Sequence, residues 1–201
     1  MMFIELTDHL RCPEPHEEQY LVLLPEDVEH RIVRRGELGC PVCGRIFHLR
    51  DGTVEFAAAA APRSSAAPLD GAGLAALVGL GGPGGYMVLV GSAAGAAAEL
   101  AAAVPGVALV LVNPPSALAL PPDDPGFSVL RAATLPLKSR SMRAVVLGRG
   151  FGDAPPWIAD AARVVLPGLR VVGEGGEPSD NGLELLATAG GWWVAARTSS
   201  A

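Results

Sequence analysis

The chain has 201 residues, half of them hydrophobic, with few aromatics and a formal net charge of −6. Lys138 is its single lysine, which argues against a phosphate-coating nucleic-acid surface. No run of about 20 apolar residues reads as a membrane span, and no basic segment precedes an apolar core at Met1-Met2-Phe3-Ile4-Glu5, so no signal peptide is visible.

All three cysteines and all four histidines fall within residues 9–48. Cys12-Pro13-Glu14-Pro15-His16 is followed, after a 23-residue gap, by Cys40-Pro41-Val42-Cys43-Gly44. Two soft-ligand knuckles so separated form a zinc-ribbon pattern. A second cysteine of the first knuckle would stand at Pro15, so His16 is the next ligand in line, and His9 is its rival as fourth ligand. His30 and His48 read as ordinary strand residues. The expected metal set is Cys12, His16, Cys40 and Cys43. Three thiols cannot all pair as disulfides, and reduced thiolates suit a cytoplasmic protein.

Tyr20–Leu24 reads as a strand, Pro25-Glu26-Asp27 as a turn and Val28–Arg34 as the returning strand. Arg45–Leu49 and Val54–Phe56 flank Asp51-Gly52, a strong hairpin signal. The Arg31, Arg34 and Arg35 cluster reads as a solvated strand face. The first 56 residues hold 17 of the 36 charged side chains, and composition changes sharply after them. A segment of that size is marginal for a core of its own, and a structural zinc contributes on the order of 10 kcal/mol in such modules. Residues 57–68, with Pro62-Arg63-Ser64-Ser65, read as a linker.

The remainder, residues 69–201, alternates helix and strand. A helix is expected over Leu69–Leu80 and a buried strand over Tyr86–Val90. Gly91-Ser92-Ala93-Ala94-Gly95 then opens a helix to about Ala103. Strands follow at Val107–Val112, Phe127–Leu130, Arg143–Leu147 and Leu169–Val172, with a helix within Asp153–Leu166. Leu183–Ala187 and Trp192–Ala196 close as a pair. Short continuous apolar strands with helical crossovers mean a parallel sheet covered on both faces.

Two resemblances sharpen these readings. Leu6 through Cys12-Pro13, Leu38–Gly44 and Phe47-His48-Leu49-Arg50-Asp51-Gly52 resemble the zinc-ribbon methyltransferase-activator family over residues 1–56. That likeness implies a module that docks on a methyltransferase fold by strand pairing and apolar contacts, and hence a protein partner, either a methyltransferase or a larger assembly. Residues 69–201 resemble a class I S-adenosylmethionine-dependent methyltransferase. Val88–Gly95 stands at the glycine-rich loop, Ala133–Leu147 at the approach to the fourth strand, and Ala161–Val172, with Leu166-Pro167-Gly168, at the passage into the fifth. The likeness implies a compact Rossmann-like fold with a mostly parallel seven-stranded sheet.

Cofactor contacts would fall on Gly91, Ser92, Gly95 and Asn113. There the sequence departs from the family: Ala93 replaces the middle glycine, Asn113 stands where an acid would meet the ribose hydroxyls, Arg131 falls near the place of the adenine-reading acid, and Arg143 replaces the aspartate that starts the fourth strand. Asn113-Pro114-Pro115 resembles an amine-methylating motif but follows the second strand rather than the fourth, and reads as a strand-ending turn. No thiol or imidazole serves this half, and Asp153 and Glu174 lie in no catalytic motif. The expectation is a zinc-binding scaffold of methyltransferase-like fold without catalytic residues, binding S-adenosylmethionine weakly or not at all. The alternative is an active small methyltransferase with its activator module in cis.

Overall fold

The computed structural model describes residues 1–56, 69–121, 124–178 and 182–198. The expected linker, 57–68, lies outside the described residues. In chain order the strands of the first segment are β1 (Met2–Phe3), β2 (Val22–Glu29), β3 (Ile32–Gly39), β4 (Ile46–Arg50) and β5 (Thr53–Glu55), with a tight helical turn over Ile4–His9. There follow α1 (Gly71–Val78), β6 (Tyr86–Val90), α2 (Ala97–Ala103), β7 (Ala108–Val112), β8 (Phe127–Arg131), β9 (Met142–Leu147), α3 (Pro155–Val164), β10 (Val165–Glu174), β11 (Leu183–Ala189) and β12 (Trp192–Arg197). No helix among the described residues is long and apolar enough to cross a membrane.

Local chemistry explains most boundaries. Asp51 and Gly52 both take positive φ (48° and 70°), the geometry that a two-residue hairpin turn demands. Asp70 caps α1 by accepting from the Gly73 N–H, and Gly79 ends it in the left-handed region. Two prolines, Pro155 and Pro156, open α3, where the missing N–H groups cost nothing.

The expected turn at Pro25-Glu26-Asp27 lies instead inside β2. The strand absorbs those residues as register shifts against β3 between Pro25 and Val28. The chain reverses at His30 and Arg31, both at positive φ (49° and 68°), so His30 is a turn residue. Neither is glycine or asparagine, which is why composition gave no turn signal there. Arg31 pairs with Glu5 at this corner. The helix expected to begin at Gly91 is first a tight turn over Gly91–Ala96, and only then α2.

The sheet is mixed and twelve-stranded among the described residues, where a separate seven-stranded, mostly parallel sheet was expected. Its path is β1-β3-β4-β5-β8-β7-β6-β9-β10-β12-β11, with β2 on β3. The strands β6 to β10 pair in parallel, and β12 runs antiparallel between β10 and β11. What joins the two segments is a parallel pairing of β5 with β8, Thr53 opposite Val129 and Glu55 opposite Arg131. The edge that β8 would otherwise expose is thereby covered.

Alternation splits β6 and β7 between two faces. Met87, Leu89, Leu109 and Leu111 meet Leu74 of α1 and Leu100 of α2. Val88, Val90, Val110 and Val112 belong to the other core, with Leu6, Leu10, Leu38 and Phe47 of the first segment and Trp157 and Ile158 of α3. The first segment therefore covers the face that α3 leaves open.

Candidate functional sites

The first candidate is a cluster of soft ligands. Residues 12–19 form a loop closed by the Cys12 N–H on the Gln19 carbonyl (3.0 Å), beside an antiparallel bridge of Arg11 with Tyr20. The second knuckle follows β3. There the Cys40 N–H reaches the Arg45 carbonyl (2.9 Å), and the Gly44 N–H, at φ 69°, turns back onto the Cys40 carbonyl (3.0 Å). Arg45 bridges the knuckles by pairing with Glu14 at 3.2 Å.

One ligand atom from each of Cys12, His16, Cys40 and Cys43 lies within 4.8 Å of the others. Cys12 Sγ and Cys43 Sγ are 3.7 Å apart, and Cys40 Sγ and His16 Nε2 are 3.4 Å apart. A tetrahedral zinc with bonds of about 2.3 Å to sulfur and 2.0–2.1 Å to nitrogen requires edges of about 3.8 and 3.6 Å, so the donor set fits that ion. His16 Nδ1 hydrogen-bonds the Glu17 carbonyl at 2.7 Å, which leaves the Nε2 lone pair facing the thiols.

Electrostatics favour a cation here. Burial pushes the Cys12 thiol up to about 12. Burial also opposes charge on Cys40, but the N–H groups of Cys43 and Val42 outweigh it and bring that thiol down to about 7. A metal ion offsets the cost that burial places on the thiolates. His9, the rival ligand, is elsewhere. Its ring stacks edge-on against Tyr86 at 4.8 Å, and burial lowers its pKa.

The second candidate is the crevice where the strand order reverses, between β6 and β9. In open α/β sheets, ligands sit beyond the carboxyl ends of strands at such a point. Gly91 follows β6 at φ 63°, and a Cβ added there would meet the Phe151 ring at 2.5 Å. Phe151 is 3% exposed and packs edge-on against Trp157. Ser92 is buried, and its hydroxyl accepts from the Arg149 N–H at 3.3 Å. Gly95 is the exposed residue of the turn.

Asn113 follows β7 at φ 51° and is 1% exposed. Its Nδ2 donates to the Ala132 carbonyl (2.7 Å), and its Oδ1 accepts from the Ala132 N–H (3.0 Å). The amide thus does the work of a strand pairing partner, a role that its position at a strand end did not signal.

Two of the charged residues singled out by the sequence, Glu174 and Arg143, are engaged as well. Glu174, 5% exposed at the end of β10, accepts from the Arg149 N–H (3.1 Å) and Nε (2.8 Å). Arg143 donates to carbonyls in the Gly81–Gly84 turn. Trp193 is fully buried, with its indole N–H on the Gly152 carbonyl at 3.0 Å. Sequence reasoning missed Phe151 and Arg149, which lie between the strand expected over Arg143–Leu147 and the helix expected within Asp153–Leu166.

No family model matches this sequence, and no curated protein matches it. Among solved structures, the chain is similar to the antibiotic-resistance methyltransferase Kmr, at 16% identity over 70% of this chain and 98% of that one, TM-score 0.45. It is similar to the pyocyanin biosynthetic protein PhzM at 17% identity, covering 65% and 55%, TM-score 0.47. It is also similar to the complex between the Haloferax volcanii Trm112 methyltransferase activator and the putative methyltransferase, at 18% identity, covering 51% and 50%, TM-score 0.40. The chain spans about half the length of the latter two.

Proposed function

We propose that the chain is a zinc-binding, non-catalytic scaffold of methyltransferase-like fold, which acts in the cytoplasm by holding a protein partner. The observation that carries the non-catalytic reading is Phe151 packed on Gly91, at the place where a doubly wound sheet would admit a ligand. Asn113 supports it, because both ends of its amide are spent on Ala132. The zinc reading rests on the convergence of Cys12, His16, Cys40 and Cys43. The partner class, a methyltransferase or a larger assembly, follows from the resemblance of the first segment to methyltransferase activators.

The active-methyltransferase alternative draws on the β6–β9 order reversal and on Gly91 and Gly95, which keep the outer glycines of the loop. Calorimetric titration with S-adenosylmethionine separates the two. The scaffold gives no heat of binding, and a micromolar dissociation constant promotes the enzyme. Elemental analysis of protein purified without added metal should find one zinc per chain; a folded, metal-free protein would sink the zinc reading.

A further inference from the structure

Building on the zinc reading, we infer that the metal fastens the two segments of the chain together as well as closing its own loop. The loop carrying Cys12 and His16 is attached to the second segment on both sides of its ligands. Before Cys12, residues 9–11 run antiparallel to 136–138: the Arg11 N–H meets the Pro136 carbonyl (3.0 Å), the Lys138 N–H meets the His9 carbonyl (2.8 Å), and Leu10 bridges Leu137. After His16, Glu18 accepts from the Ser139 N–H (3.0 Å) and hydroxyl (2.6 Å). Arg11 and Arg163 flank the same carboxylate at 3.5 and 3.7 Å.

The receiving segment, 135–139, is gripped from its other side by α3. Arg163 donates to the carbonyls of Leu137 (2.7 Å) and Leu135 (2.8 Å), and Asp160 accepts from the Leu135 N–H (2.9 Å). Segment 135–139 thus lies between α3 and the metal loop, with Leu135 and Leu137 fully buried.

The loop has few fasteners of its own. Besides the Cys12–Gln19 closure it has the His16 N–H on the Glu14 carbonyl at 2.9 Å and the His16 ring on Glu17, and the partly exposed Glu14–Arg45 pair ties it to the second knuckle. A metal shared with Cys40 and Cys43 is what would fix His16, and Glu18 stands two residues beyond it. Taking the metal away frees the loop between its ends, and with it the position of the carboxylate that holds Ser139. Coupling of this kind is reciprocal: a contact that metal strengthens must in turn strengthen metal binding.

Hydrogen exchange of the full chain, zinc-loaded and chelator-stripped, tests this. Stripping should speed exchange in residues 9–19 and 135–139 together, by roughly tenfold or more, and leave 86–90 and 108–112 unchanged. Faster exchange in 12–19 alone overturns the inference while the zinc reading stands. Loss of protection throughout the chain also overturns it, because the metal would then hold the whole fold. Protein purified without zinc removes both.

The reciprocal arm is zinc affinity, read by equilibrium competition with a chelator. Glu18→Ala should weaken it roughly fivefold or more. Ser139→Ala, which removes only the hydroxyl contact, should weaken it by less and keeps the test valid if the first variant folds poorly. Unchanged zinc affinity in a folded variant overturns the inference.

Discussion

The ligand cluster and the order-reversal crevice occupy one molecule and are built by opposite rules. In the cluster, four atoms able to donate electron pairs converge, and their protein contacts leave those pairs facing one another. In the crevice, three buried polar side chains are already answered: Asn113 by Ala132, Glu174 by Arg149, the Ser92 hydroxyl by the Arg149 N–H. The space beside Gly91 is taken by a phenyl ring. A binding site is left open by groups without sufficient partners, whereas a sheet is stabilised by giving every buried group one. On the proposed reading, the first segment keeps an unfinished site that a metal would complete, and the second spends its crevice on its own cohesion.

The strongest way to break this comparison is to empty the crevice. Phe151→Ala should destabilise the chain by about 3–5 kcal/mol, the usual cost of removing a buried aromatic ring, read from the denaturant midpoint. Binding of S-adenosylmethionine should stay absent in this variant, because Asn113 remains tied. If binding at micromolar concentration appears, one ring alone separates this crevice from a working site.

Asn113→Ala sharpens the same point. It strands the buried N–H and carbonyl of Ala132, at a cost of about 1–3 kcal/mol. A near-neutral result would mean that the amide is free for a ligand after all.

The smallest effect concerns pH. Burial lowers the folded-state pKa of His9 below its ordinary value. The unfolded chain therefore binds the extra proton first, and stability falls as pH drops below about 6.5. His9→Gln should flatten the acid side of the stability profile between pH 7 and 5.5 without lowering zinc content. A parallel loss of zinc would return His9 to the ligand set.

The cluster of Cys12, His16, Cys40 and Cys43 was legible because cysteine and histidine are rare here and confined to 40 residues, although spacing left His9 a rival to His16. Strands such as Tyr86–Val90 and Ala108–Val112 were legible because a continuous apolar run fits only a buried strand at that length. The reversal at His30 and Arg31 was not, since it uses left-handed backbone without glycine or asparagine. Nor was the closing of the crevice: Phe151 and Asn113 are local letters whose roles depend on the long-range neighbours Gly91 and Ala132. The pairing of β5 with β8 lies beyond any local pattern, because a three-residue strand carries too little alternation to announce its partner.

That pairing has a consequence for synthesis. Thr53 leaves the ribosome about seventy-six residues ahead of Val129, its partner across the sheet. At roughly 5–20 residues per second, the first segment waits on the order of 4–15 seconds with the outer edge of β5 bare. During that interval the nascent chain already holds every thiol and imidazole of this sequence. On the proposed reading, metal loading would be open to it before the rest of the sheet exists, and the order of synthesis would place the inorganic chemistry ahead of the architecture.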